Sequence, residues 1–91
     1  MNILLSRQRI WVTGATGGLG RALVLRLLND NAEVMATGRN ANIGAQLQTI
    51  GVSFESLDLT QMSVDDWRKR LSKDDIVIHC AALSSPWGEY D

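Results

Sequence analysis

Residues 9–20 read RIWVTGATGGLG, and the reading of this stretch decides the fold. Ile10, Trp11 and Val12 form a short β-prone run that stops at Thr13-Gly14. Glycines then stand at 14, 17, 18 and 20, and a segment rich in Leu and Ala follows at once. Strand, tight turn and helix in that order is the sequence form of a phosphate-binding crossover. A pyrophosphate needs donors at close range, and Gly14 and Gly17 let the backbone approach it with no Cβ in the way. The helix starting near Gly17 points its unsatisfied N–H groups and the positive end of its dipole at the same spot, worth up to about 2 kcal/mol in a sheltered geometry. Gly20 lets helix and strand pack closely. Glycine spacing alone also occurs in ordinary loops, so the surrounding chain has to carry the argument.

Working outward, Leu23, Val24, Leu27 and Leu28 share one helical face with Gly20, while Arg21, Arg26 and Asp30 lie away from it, so the first helix, Gly17 to about Asn29, rests on a sheet. Asn29-Asp30-Asn31 ends it. Glu33 to Thr37 reads as a second, largely apolar strand, closed by Gly38-Arg39-Asn40. Ile43, Leu47 and Ile50 predict a short helix over 41–50, weakened at Gly44 and stopped at Gly51. Val52 and Phe54 alternate with Ser53 and Glu55 in a third strand. Ser63 and Asp66 form a capping box ahead of Val64, Trp67 and Leu71, predicting a core-facing helix over 64–72. Ile76-Val77-Ile78 is apolar on both faces, the pattern of a strand inside a parallel sheet with helices on both sides. Residues 1–8 read as a lead-in and the chain after Ala82 as loop.

The alternation predicts an α/β fold: a Rossmann-like parallel sheet of four strands in the order 3-2-1-4, with helices on both faces. That order sets the switch point between the first and fourth strands, over the glycine turn. With 91 residues the chain makes one domain, residues 1–91, able to bury around two thirds of its unfolded surface.

Nine basic residues against ten acidic, scattered along the chain, leave no electrostatic footprint for nucleic acid or an anionic membrane. No apolar run approaches the ~20 residues that span a bilayer, and residues 1–9 lack the form of a signal peptide, so a cytoplasmic location is expected. Cys80 is the only cysteine and His79 the only histidine, which excludes a disulfide framework and leaves no metal site. His79, at the end of an apolar strand, reads as a structural histidine and Cys80 as a small buried hydrophobe. No catalytic role is assigned to either.

An acidic residue at the tip of the second strand would bind the 2′-hydroxyl of NAD. That tip is Thr37-Gly38-Arg39. A guanidinium there suits a 2′-phosphate instead, in a charge-assisted contact worth about 1.5 to 3 kcal/mol, with a hydroxyl from Thr37 to add to it. NADP is therefore the expected cofactor and NAD the alternative, with Arg21 a second candidate for the phosphate. Asp58-Leu59 is read as closing the third strand, where Asp58 can accept from the adenine amine while Leu59 covers the ring; equally, Asp58 can cap Thr60 and Gln61. Ala81 and Ala82 are small where a cofactor backbone needs room. Ser84, Ser85 and Trp87 are the candidates for substrate contact in the loop that follows.

Thr13-Gly14-Ala15-Thr16-Gly17-Gly18-Leu19-Gly20, Asp58-Leu59 and His79-Cys80-Ala81-Ala82, in register, resemble the short-chain dehydrogenase/reductase superfamily. The glycine segment satisfies both TGxxxGxG and TGxxGxxG, and HxAA resembles the extended branch, which includes sugar epimerases, dehydratases and 3β-hydroxysteroid dehydrogenases. The resemblance implies that Gly14, Gly17 and Gly20 are the cofactor-turn glycines. Thr16, Gly18 and Leu19 complete the cofactor-binding positions there. It also implies that Asp58 and Leu59 contact adenine, that Ala81 and Ala82 lie along the ribose and phosphates, and that Arg39 matches NADP-preferring members.

The match corresponds to about the first third of a family member, so the sheet is expected to be incomplete relative to the family. Members of the family transfer protons with a Tyr-x-x-x-Lys pair on a later helix. Tyr90 is the only tyrosine here and the last lysine is Lys73, so no such pair exists in these residues. Two readings follow. One is the NAD(P)-binding amino-terminal portion of an extended oxidoreductase or epimerase, inactive alone; the other is a non-catalytic NADP-binding sensor. An apolar fourth strand with a bare outer edge is further expected to promote self-association.

Overall fold

The computed structural model describes residues 8–80. In chain order it contains strand β1 (Arg9–Thr13), helix α1 (Gly18–Asn29), β2 (Glu33–Gly38), α2 (Ala41–Gln48), β3 (Ser53–Ser56), a single 3₁₀ turn (Leu59–Gln61), α3 (Val64–Arg70) and β4 (Ile76–His79). The strands form one sheet in the order β3-β2-β1-β4, and every pairing is parallel. This is the doubly wound order expected from the alternation, with the switch between β1 and β4.

Both faces are covered, by different means. Val24 and Leu27 of α1 and Leu47 of α2 pack with Ile10, Val12, Val34 and Ala36 into one core on one face of the sheet. Burial of each large aliphatic side chain there contributes about 1.5 to 3 kcal/mol. On the opposite face α3 brings Trp67 edge-on to Trp11, with ring centroids 6.0 Å apart and planes at 81°. Below that contact the Asp75 carboxylate accepts from Trp11 Nε1 at 2.9 Å and from the Ser72 amide at 2.8 Å. Its other oxygen pairs with Arg9 at 3.1 Å.

The helix ends follow from local chemistry. Asn40 caps α2 by accepting from the Ile43 amide, and Ser63 and Asp66 form a complete capping box on α3. Behind Asn29 the chain turns through Asn31 in the left-handed region, φ 66°. Gly44, read from sequence as a weak point of α2, has a packing reason: a Cβ there would come within 2.1 Å of the Phe54 ring, so its absence lets helix and strand approach.

Three expectations need correction. The Ile76-Val77-Ile78 strand lies at the edge of the described sheet, as expected, but it is not covered on both faces, since Ile76 and Val77 are each 44% exposed. Helix α3 ends at Arg70 rather than 72, and Val64 is 70% exposed, so only Trp67 of the expected core face packs inward within the helix, half-buried against Trp11. The 3₁₀ turn at Leu59 was not anticipated; Asp58 initiates it and Leu59 lies inside it, so neither residue belongs to the third strand.

Candidate functional site

Four chain segments meet at the carboxyl edge of the sheet and enclose a cleft of about 510 Å³. The glycine turn forms its floor. Gly14 takes φ 69°, a conformation that a side chain would oppose, and so aims the backbone away from β1. The Ala15 amide donates to Thr37 O at 2.9 Å, which fastens the turn to β2. A Cβ on Gly20 would stand 2.2 Å from Gly14 O, so α1 sits on the turn at a distance only glycine permits. A Cβ on Gly18 would meet nothing within 4 Å, which leaves that side of the turn open to the cleft.

Helix α1 begins with Gly17 as its N-cap, and no side chain among the described residues caps it. The first-turn amides of a helix have no intrahelical acceptor, and here they sit at the cleft with the positive end of the helix dipole. Leu19, 56% exposed, adds an apolar surface in the same turn. A Cβ on Gly38 would lie 2.7 Å from the Thr16 side chain, so β2 ends flush against the turn, and Arg39 follows at the rim.

The third segment is Leu57–Thr60. Asp58 Oδ1 accepts from the Thr60 amide at 3.0 Å and from its hydroxyl at 2.7 Å. These two bonds, aided by the nearby charge of Arg39, hold the Asp58 carboxyl below its ordinary value. The capping role foreseen for Asp58 is therefore present with Thr60, on a residue that also lines the cleft. The fourth segment is the end of β4, where His79 and Cys80 face the cleft. The Cys80 amide donates to Thr13 O at 2.9 Å, and Thr13 Oγ1 lies 2.6 Å from His79 Nδ1.

Gly14, Thr16, Gly17, Gly18, Leu19, Gly20, Arg39, Asp58 and Leu59 thus all line one cleft. Ala81 and Ala82, with Ser84, Ser85 and Trp87, lie outside the described residues. Arg21 is exposed on α1 and does not line the cleft. Thr37 lines it but is fully buried, and its Oγ1 has no hydrogen-bond partner among the described residues. The sequence reading missed Gly38 as a steric partner of Thr16, and it missed the row that register creates: Glu55 opposite Thr37, Thr37 opposite Thr13, Thr13 opposite His79. Counting back from each strand end would have exposed that row. Among the described residues no cluster of His, Cys, Asp and Glu can hold a metal ion, and no helix is long and apolar enough to cross a membrane.

Comparison with known proteins gives a consistent family. The model of the NAD dependent epimerase/dehydratase family matches residues 10–90. Over 81 residues the chain is 40% identical to the uncharacterized protein YbjS of Escherichia coli, covering 89% of this chain and 24% of that protein. It is 34% identical over 90 residues to equisetin synthetase of Fusarium heterosporum, covering 90% of this chain and 2% of the synthetase. Among solved structures it is similar to one described as a short chain dehydrogenase from Pseudomonas syringae, with a TM-score of 0.57 and 27% identity, covering 72% of this chain and 30% of that one. The chain spans less than a third of each of these relatives.

Proposed function

Since the chain belongs to the NAD dependent epimerase/dehydratase family, we propose that its cleft binds NADP, with the diphosphate at the start of α1 and the 2′-phosphate at Arg39. A nicotinamide dinucleotide is the cofactor class of the family, and the residues present fit one. The open side of Gly18 leaves room for phosphate oxygens, and the uncapped first turn of α1 supplies amide donors. That uncapped turn, opening into the cleft, carries the proposal.

The preference for NADP rests on charge. The tip of β2 offers Arg39 and no carboxylate, and the guanidinium is exposed at the rim. Asp58, the carboxylate that lines the same cleft, has Oδ1 engaged by Thr60 and remains an acceptor for an exocyclic amine, with Leu59 against the ring. Ala81 and Ala82 belong to the same reading, as small residues beside the ribose. When bound, the cofactor supplies hydride transfer. These residues bind and orient it, and among the described residues the cleft contains no tyrosine or lysine for proton transfer. The proposed activity is therefore cofactor binding, in the service of an oxidoreductase or epimerase reaction. Self-association through the outer edge of β4, unpaired among the described residues, is part of the same reading, with a second copy of this chain as the partner.

Fluorescence titration with NADPH and NADH tests it. NADPH is expected to bind at least about tenfold more tightly, the effect of one charge-assisted contact. Equal affinities remove the NADP assignment, and binding of neither removes the site.

A further inference from the structure

Thr13 and His79 form a pair that cofactor binding at the glycine turn does not use. Thr13 is 2% exposed, and its hydroxyl has one partner among the described residues, His79 Nδ1 at 2.6 Å. The neighbouring Thr37 Oγ1, in register beside it, makes no bond to it. If Nδ1 carried the ring proton, the Thr13 hydroxyl would accept it, and its own proton would be left buried without an acceptor among the described residues. The hydroxyl therefore donates, Nδ1 accepts, and the ring proton sits on Nε2. His79 is exposed and is one of the residues that line the cleft, and no partner for Nε2 is found among the described residues.

The strand order arranges the cleft linearly. Asp58 follows β3, Arg39 follows β2, the glycine turn follows β1, and His79 ends β4. A dinucleotide with its adenosine end near Arg39 and its diphosphate at the turn has one direction left, across the end of β4. We infer that His79 Nε2 donates a hydrogen bond to the sugar–phosphate on the nicotinamide side of the diphosphate, in an orientation fixed by Thr13. This rests on the proposed cofactor site. It makes His79 a ligand contact and Thr13 its positioning residue.

The experiment compares NADPH with adenosine 2′,5′-bisphosphate, which carries the Arg39-facing half alone, by titration calorimetry on the protein and on His79→Phe. Loss of one hydrogen bond predicts about fivefold or more weaker NADPH binding, with bisphosphate affinity unchanged. Unchanged NADPH affinity overturns the inference and leaves the cofactor reading intact. An equal loss for both ligands overturns the assignment to the nicotinamide side, and failure of the unsubstituted protein to bind either ligand sinks both readings. Imidazole nitrogen chemical shifts give a check that needs no variant at the contact. They should report Nε2 protonated, respond to NADPH and not to the bisphosphate, and show a mixture of tautomers in Thr13→Val. A proton on Nδ1, or an Nε2 signal indifferent to NADPH, refutes the assignment.

Discussion

Gly18 and Gly20 stand two residues apart on one helix turn and have opposite requirements. Alanine at 20 would push a methyl to 2.2 Å from Gly14 O and force α1 off the turn, so Gly20→Ala should cost about 1 to 3 kcal/mol and abolish nucleotide binding. Alanine at 18 meets nothing within 4 Å among the described residues. It removes a poor helix former, so thermal stability should hold or rise by up to about 1 kcal/mol while the methyl enters the cleft and weakens NADPH. Melting curves and titrations on the two variants separate packing from ligand space; a Gly18→Ala protein with unaltered affinity would show that phosphate does not lie there. Arg39→Ala should weaken NADPH by about tenfold or more and leave NADH nearly unchanged. Equal losses in calorimetry would remove the 2′-phosphate contact.

At the scale of the element, α3 is short and largely exposed, and polar contacts fix its place. Arg70 makes a two-pronged contact with Glu55 of β3, at 2.9 and 2.6 Å, which holds the Glu55 carboxyl below its ordinary 4.5. At Asp75, burial raises the carboxyl, but the Ser72 amide, Trp11 Nε1 and Arg9 outweigh it, and the balance lies below the ordinary 3.8. Carboxylates lowered on folding add stability above their unfolded values and lose it as pH falls through the folded ones. Stability against urea should therefore be flat near neutrality and decline from about pH 5 downward. Asp75→Asn should flatten that decline, and an identical pH profile would show the contact to be unimportant. Asp75→Ala, which orphans Trp11 Nε1 and the Ser72 amide, should cost about 2 kcal/mol and lower Tm by several degrees.

For the whole molecule, the consequence lies at the outer edge of β4. Ile76 and Val77 are exposed there on a strand paired on one side among the described residues. Such an edge recruits another strand, so light scattering of this chain alone should give a mass above that of the monomer, and Val77→Lys should restore the monomer. A strictly monomeric mass for the parent chain at high concentration would refute this. The cleft is a molecular property in the same sense, since its walls come from four segments that share no local sequence.

What the sequence determined by itself was local. Alternating apolar periodicities, the capping pair Ser63 and Asp66, and the run of glycines after β1 fix strand, turn and helix within a few residues of each other, and the parallel order follows from the right-handed crossover rule. The tertiary structure decided what depends on alignment between distant strands. Register set Thr37, Thr13 and His79 in one row, and proximity explained Gly38 by Thr16 and Gly44 by Phe54. The reason is physical: periodicity records whether a side chain meets water or an apolar neighbour, whereas which neighbour it meets is fixed only when the sheet closes the distance.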